Sequence, residues 1–152
     1  MKVLELLTRH VAVIRRNEPL LVAVRRMREE HVGALVVVDE RAGRQIAVGI
    51  LTDRDIVVGV FAKDVEHVSK LDVGDVMISD LVTATEDEDI AVVLRRMRKF
   101  GVRRVPVVDG ASGELRGIVT VDDALVGLAD ELATVASLAS RQREREPARR
   151  PA

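Results

Sequence analysis

The chain has 152 residues, 47 % of them apolar, enough to bury one ordinary core or two very small ones. Its 24 basic and 25 acidic side chains leave a net charge of −1, so no global field draws it to nucleic acid or anionic lipid and any ligand must be recognised locally. The absence of cysteine excludes disulfides, thiolate metal sites and cysteine nucleophiles, and two phenylalanines with no Trp or Tyr leave no stacking platform for single-stranded nucleic acid.

The opening Met1-Lys2-Val3-Leu4-Glu5 meets a carboxylate before a signal-type apolar region forms, and no apolar run approaches about 18 residues. The expectation is a cytoplasmic protein that does not span a membrane. A short strand is predicted over 11–15, then a polar turn and a helix that starts at Pro19 and carries Leu20, Val24 and Met27 at helical spacing. The β-branched run 35–39 and a second strand at 46–51 are joined through A-G-R-Q and read as a hairpin, and a helix follows over 53–62. Residues 1–62 form the first unit and 63–72 a linker.

From residue 73 the pattern starts again. Residues 25–43 lie over 95–113 at an offset of 70, with nine of nineteen positions identical. Upstream, V-L-E-L-L at 3–7 matches V-G-D-V-M at 73–77. Downstream the offset becomes 68, because the first copy has two more residues in its hairpin turn. The second unit, 73–140, therefore predicts a strand at 81–85, a helix with Ile90, Leu94 and Met97 behind the acidic run 86–89, strands at 105–109 and 115–119, and a helix over 121–140. The fold class is α+β, one βαββα-like unit written twice.

Along the last helix Val121, Leu125, Leu128, Leu132, Val135 and Ala139 repeat in a 4-3-4-3-4 pattern, a packing seam that covers either its own sheet or a second subunit. The end, 141–152, holds five Arg and two Glu without apolar period and reads as a mobile tail.

The repeated G-h-h-T-x-x-D turn at 49–55 and 117–123 carries the chemistry, where h is aliphatic. It sets Gly49 or Gly117 in a strand, Thr52 or Thr120 at the strand-to-helix corner, and Asp55 or Asp123 in the first helical turn. The glycine admits a close approach to the backbone, the threonine and free N–H groups suit an anion, and the aspartate can accept from a vicinal diol such as ribose. The same T-x-x-D is also a capping box and needs no ligand. Both readings stand at this level.

V-x-D-V-M at 73–77, the h-P-V-V-D strand at 105–109 and the two G-h-h-T-x-x-D turns in tandem resemble the CBS domain family, named after cystathionine β-synthase, over about residues 3–135. A single pair with no attached enzyme is similar to stand-alone bacterial members. The resemblance implies two copies packed about a pseudo-twofold with two clefts. It implies that Thr120 and Asp123 serve one cleft, with Ala12 and Leu7 as adenine walls, and that Thr52 and Asp55 serve the other, with Val82 and Met77. A basic residue ahead of the h-P-V-V-D strand often holds phosphate in the family. Here Arg104 stands in the second copy opposite Ala34 in the first, so the Thr120–Asp123 cleft is expected to bind better. An exposed edge-strand charge is the alternative role of Arg104.

His10, His31 and His67 are scattered and argue against a metal site or catalytic triad, and no phosphate-loop or dinucleotide glycine motif occurs. No residue is assigned to catalysis or metal binding. Two functions from different classes follow. One is a non-catalytic sensor, expected as a homodimer acting on an unidentified regulated protein, that binds an adenine-containing ligand (AMP, ADP, ATP, NAD or S-adenosylmethionine) and requires no cofactor. The other is a ligand-free adaptor or dimerisation scaffold whose T-x-x-D turns are only caps. Nucleic-acid binding through the arginine tail ranks behind both.

Overall fold

Local chemistry accounts for most elements of the structure, a computed structural model that describes residues 1–62 and 65–145. In the first copy β1 (Val13–Arg15), α1 (Leu20–Glu29), β2 (Ala34–Arg41), β3 (Arg44–Thr52) and α2 (Asp53–Ile56) follow the predicted order. β1 is parallel to β2, and β2 is antiparallel to β3. The hairpin turn sets Ala42 and Gly43 at φ 50° and 73°, the left-handed pair that matches a two-residue turn to strand twist. The helix expected over 53–62 is α-helical only to Ile56, then widens into a π-helical stretch, Val57–Phe61, around Gly59.

The second copy contains α3 (Val73–Val76), α4 (Ile90–Phe100), β4 (Arg104–Val108), β5 (Leu115–Thr120) and α5 (Val121–Arg145). Its expected first strand, 81–85, shrinks to one parallel bridge between Ala84 and Val107. Pro106 is the reason. In the first copy the Val36 N–H donates to the Ala12 carbonyl at 3.0 Å, whereas Pro106, at the matching position, has no N–H to offer Val82. The last helix runs past the expected end at 140 to Arg145, so the first part of the expected tail is helical. The rest of that tail, 146–152, lies outside the described residues.

The helices bury matching positions, Leu20, Ala23 and Met27 in α1 and Ile90, Val93 and Met97 in α4. The sequence pattern points to Val24 and Leu94 instead of Ala23 and Val93, but Val24 is 38 % exposed and Leu94 only borders the core. In both copies the smaller neighbour faces inward, which lets the helix lie closer to its sheet.

The acidic run 86–89 is not a diffuse dipole feature, because each carboxylate has its own partner. Glu86 pairs with Arg9, Asp87 accepts from the Thr85 hydroxyl, and Asp89 caps the Ala91 N–H. Glu88 accepts from the Thr85 N–H at 2.8 Å and from Arg96, whose guanidinium also reaches the Thr83 carbonyl at 2.6 Å. Glu18, Arg26 and the Val13 carbonyl repeat this lock in the first copy.

The two copies exchange their opening segments. Val3 and Val73, equivalent by the offset of 70, are both fully buried, but Val3 sits in the second core with Ile90, Met97 and Val119. Val73 sits in the first core with Leu20, Met27 and Leu51. Backbone bonds fix each crossing in the same way: Val3 N–H to Glu88 O at 3.0 Å and Ile90 N–H to Met1 O at 3.0 Å, against Val73 N–H to Glu18 O at 2.9 Å and Leu20 N–H to Leu71 O at 2.9 Å. Residues 1–8, part of the first repeat in sequence, thus complete the second core.

The strand glycines are where the segments cross. A Cβ on Gly117 would lie 2.8 Å from the Thr8 carbonyl oxygen and collide with Leu7 Cδ1; one on Gly49 would lie 2.9 Å from the Ile78 carbonyl oxygen. The close approach expected at these glycines is therefore made by the chain itself.

Gly117→Ala is expected to destabilise the protein by about 1–3 kcal/mol, measured by urea unfolding followed by circular dichroism. Gly110→Ala, where the added carbon meets only Thr85 Cγ2 at an ordinary 3.5 Å, is the neutral control.

The bond from Arg96 holds the Glu88 carboxyl below its ordinary range. A depressed carboxyl stabilises the fold above its unfolded pKa, and that contribution is lost as pH falls through the folded value. Glu88→Gln should cost about 1–2 kcal/mol at neutral pH, and the gap from wild type should close below about pH 4 in urea titrations.

Candidate functional site

Both T-x-x-D turns form complete capping boxes. Thr120 donates to Asp123 Oδ2 from its N–H at 2.8 Å and from its hydroxyl at 2.7 Å, and the Asp123 N–H donates back to Thr120 Oγ1 at 3.1 Å. Thr52 and Asp55 repeat this at 2.9, 2.6 and 3.2 Å. These bonds use one aspartate oxygen each, so Oδ1 of Asp55 and of Asp123 has no hydrogen-bond partner among the described residues.

The two helix starts differ one residue earlier. In the first copy the Asp53 carboxylate accepts from the Arg54 N–H at 2.8 Å and lies against Gly33, so the chain's own anion fills the start of α2. In the second copy Val121 takes that place, and its N–H is spent on the Arg103 carbonyl at 3.0 Å. The Asp122 N–H has no acceptor among the described residues. Arg103 pairs with Asp122 at 3.5 Å, while Arg104 makes no ion pair among the described residues.

A cavity of about 310 Å³ opens at the seam between the copies. The second copy contributes Arg104 from the start of β4, Thr120 from the end of β5 and Asp123 from the first turn of α5. Ala12 comes from the segment before β1. The Thr8–Ile118 bridge, with both N–H to O distances at 2.9 Å, lays that segment beside β5.

Four expected site residues thus share one cavity and five do not. Leu7 packs on Gly117 and into the second core, and Met77 packs on Gly49 and into the first, so both are committed to the crossings. Val82 lines a separate cavity of about 310 Å³ with Asp80, Arg96 and Phe100, in which Thr52, Asp55 and Met77 have no part.

Among the lining residues that the sequence reading did not assign to a site are two histidines, His10 and His31. His31, one residue past the Glu30 cap of α1, has φ 53° where the matching Gly101, the cap of α4, has φ 67°. The Val32 and Val102 N–H groups close the two helix ends identically, on Met27 and Met97 carbonyls at 3.0 Å. A histidine opposite a glycine in the repeat alignment was the available signal.

Two βαββα units closed by exchanged segments, with a cleft at their seam, define a tandem α+β module. The CBS domain family model matches it twice, at residues 3–61 and 73–130, and the chain belongs to that family. It is 33 % identical over 129 residues to an uncharacterized 17.7 kDa protein of Acidianus ambivalens, covering 85 % of this chain and 74 % of that one. Two further relatives are longer, the chain spanning 48 % and 32 % of their lengths. Inosine-5'-monophosphate dehydrogenase of Thermoplasma acidophilum is 33 % identical over 118 residues, which cover 78 % of this chain but 22 % of the enzyme. Among solved structures, the CBS domain pair of protein MJ0100 in complex with 5-methylthioadenosine and S-adenosyl-L-methionine matches with a TM-score of 0.74 at 27 % identity, covering 86 % of this chain and 98 % of that one.

The capping geometry predicts that Thr52→Val and Thr120→Val each cost about 1 kcal/mol in urea unfolding, with no ligand present. A cost in only one copy contradicts equivalent caps.

Proposed function

We propose that this CBS pair is a non-catalytic regulatory module that binds an adenine-containing nucleotide or related adenosyl metabolite in the Thr120–Asp123 cavity. The carrying observation is that Thr120, Asp123, Arg104 and Ala12 meet in one cavity. Among the described residues Asp123 Oδ1, Arg104 and the Asp122 N–H have no partner; the first suits a ribose hydroxyl, the other two a phosphate, and Ala12 offers an apolar wall. The adenosyl ligands of the MJ0100 pair support the ligand class. Thr52 and Asp55 remain a weaker second site in this reading, because Asp53 occupies the anion position there.

The working unit is a homodimer. Within the seam along α5, Leu125 is 59 %, Leu132 70 % and Val135 62 % exposed, so the stripe does not cover its own sheet. Val57 and Val58 add exposed apolar area. Burial against a second copy would remove these faces from water. Ligand closing the cleft would then shift the population of dimer arrangements by no more than its differential affinity for them.

The self-satisfied caps favour a second reading, a ligand-free adaptor. Thermal unfolding with and without AMP, ADP, ATP, NAD and S-adenosylmethionine separates the two. At about 100 times Kd a bound ligand adds about 2.7 kcal/mol and should raise Tm by roughly 5–10 °C. No shift at millimolar concentration leaves the adaptor. Asp123→Ala and Asp55→Ala remove equivalent caps, so their stability losses should match while only Asp123→Ala abolishes most of the ligand-induced shift.

A further inference from the structure

We propose that His10 and His31 make the Thr120–Asp123 cavity a proton-tuned anion site, selective for the phosphates of a nucleotide and tightening as pH falls. This rests on reading the cavity as the nucleotide site. It adds two residues, a ligand charge and a form of regulation to that reading.

The cavity has four ionisable lining groups, Arg104, Asp123, His10 and His31. The charges of Arg104 and Asp123 cancel, so the lining is near neutral with both imidazoles neutral and carries two positive charges with both protonated. Neither histidine has an ion pair or side-chain hydrogen bond among the described residues, and both are exposed. Their protons are free to serve a ligand. Other nearby charges are committed or set back: Arg9 to Glu86 at 3.2 Å, Arg103 to Asp122 at 3.5 Å, and Asp53 behind Gly33. Glu30, beside His31 in the chain, is exposed and caps the end of α1.

His31 also sits in a conformation that disfavours it. A left-handed φ suits glycine, which the second copy uses at Gly101, and a side chain there is tolerated at a cost in backbone strain. The helix end needs no imidazole, because Gly101 closes the same turn without one. Nor is the imidazole needed for packing, since it is exposed at the cavity wall. What it supplies is an imidazole in the cavity that Arg104 also lines, a group type that gains a positive charge on protonation.

The second copy shows the contrast. The residues matching His10 and His31 are Asp80 and Gly101, so the equivalent position carries an acid and no imidazole. The proton-dependent charge belongs to one cleft.

The test is calorimetric titration of ATP and of adenosine at about pH 6 and pH 8, using wild type and the His10→Gln/His31→Gly double variant. His31→Gly restores the glycine cap of the other copy, so the fold is preserved. Each exposed charge contact is worth a few-fold in affinity. Wild type should therefore bind ATP roughly 5- to 10-fold more tightly at the lower pH relative to the double variant, whose own pH ratio corrects for titration of the phosphate. Adenosine should show no difference between the two proteins.

Equal pH ratios for ATP in both proteins overturn the inference while leaving the nucleotide site intact. So does tighter binding of S-adenosylmethionine, which carries a sulfonium charge, than of ATP at the lower pH. Failure of every adenosyl ligand at both pH values overturns the nucleotide reading and this inference with it.

Discussion

The structure depends on the exchange of two short segments between its halves. Residues 1–8 complete the core of the second copy and 71–78 that of the first, each crossing a β-strand at a glycine that tolerates no side chain. Each half would expose its core without the other. A unit of about 60 residues is marginal alone because it buries too little of its surface. The exchange makes one cooperative body of two such units, and the unbroken repetition of its bonds at Val3/Glu88 and Val73/Glu18 shows that duplication copied the interlock with the fold.

The crossing also makes the cleft. The Thr8–Ile118 bridge brings Ala12 and His10 beside the end of β5, so the cavity exists only in the interlocked pair. The equivalent positions of the other copy carry different residues. Asp53 fills the first helix start, Ala34 replaces Arg104, and Pro106 deletes the strand bond that would order the segment at Val82. Asymmetry of this kind arises when a duplicated site is free to lose one copy's chemistry while the interlock preserves both copies' packing.

Much of this was legible in the sequence because it is local. The β-branched strand runs, the hairpins, the T-x-x-D caps and the offset of 70 all express nearest-neighbour physics repeated twice. Thr120 and Asp123 stand out in the repeated turn itself, whereas Arg104 and Ala12 enter through the family resemblance, which carries the long-range pairing that periodicity lacks. What escaped was decided at a distance. Leu7 and Met77, expected from the resemblance as adenine walls, are consumed by the crossings. Ala23 displaces Val24 because helix-to-sheet distance, not spacing, selects the inward residue. Glu88 reads as one of four helix-start acids, yet its lock with Arg96 and Thr85 is a tertiary arrangement.

In the proposed sensor, the same geometry would connect the cavity to a partner. Asp123 and the open Asp122 N–H lie in the first turn of α5, a helix of 25 residues that extends roughly 37 Å. Gly127, a turn further on, is pressed by Leu6 and Met1 of the crossing segment. The cavity is lined by both the helix, through Asp123, and the segment that braces it, through Thr8 and His10. Beyond Gly127 the helix carries the uncovered Leu128, Leu132 and Val135. In the proposed sensor, a small rotation at the cavity would be carried along this helix to the face that a second copy would meet. In the proposed dimer the coupling needs no separate pathway, because the cavity residues and the apolar stripe lie on one helix.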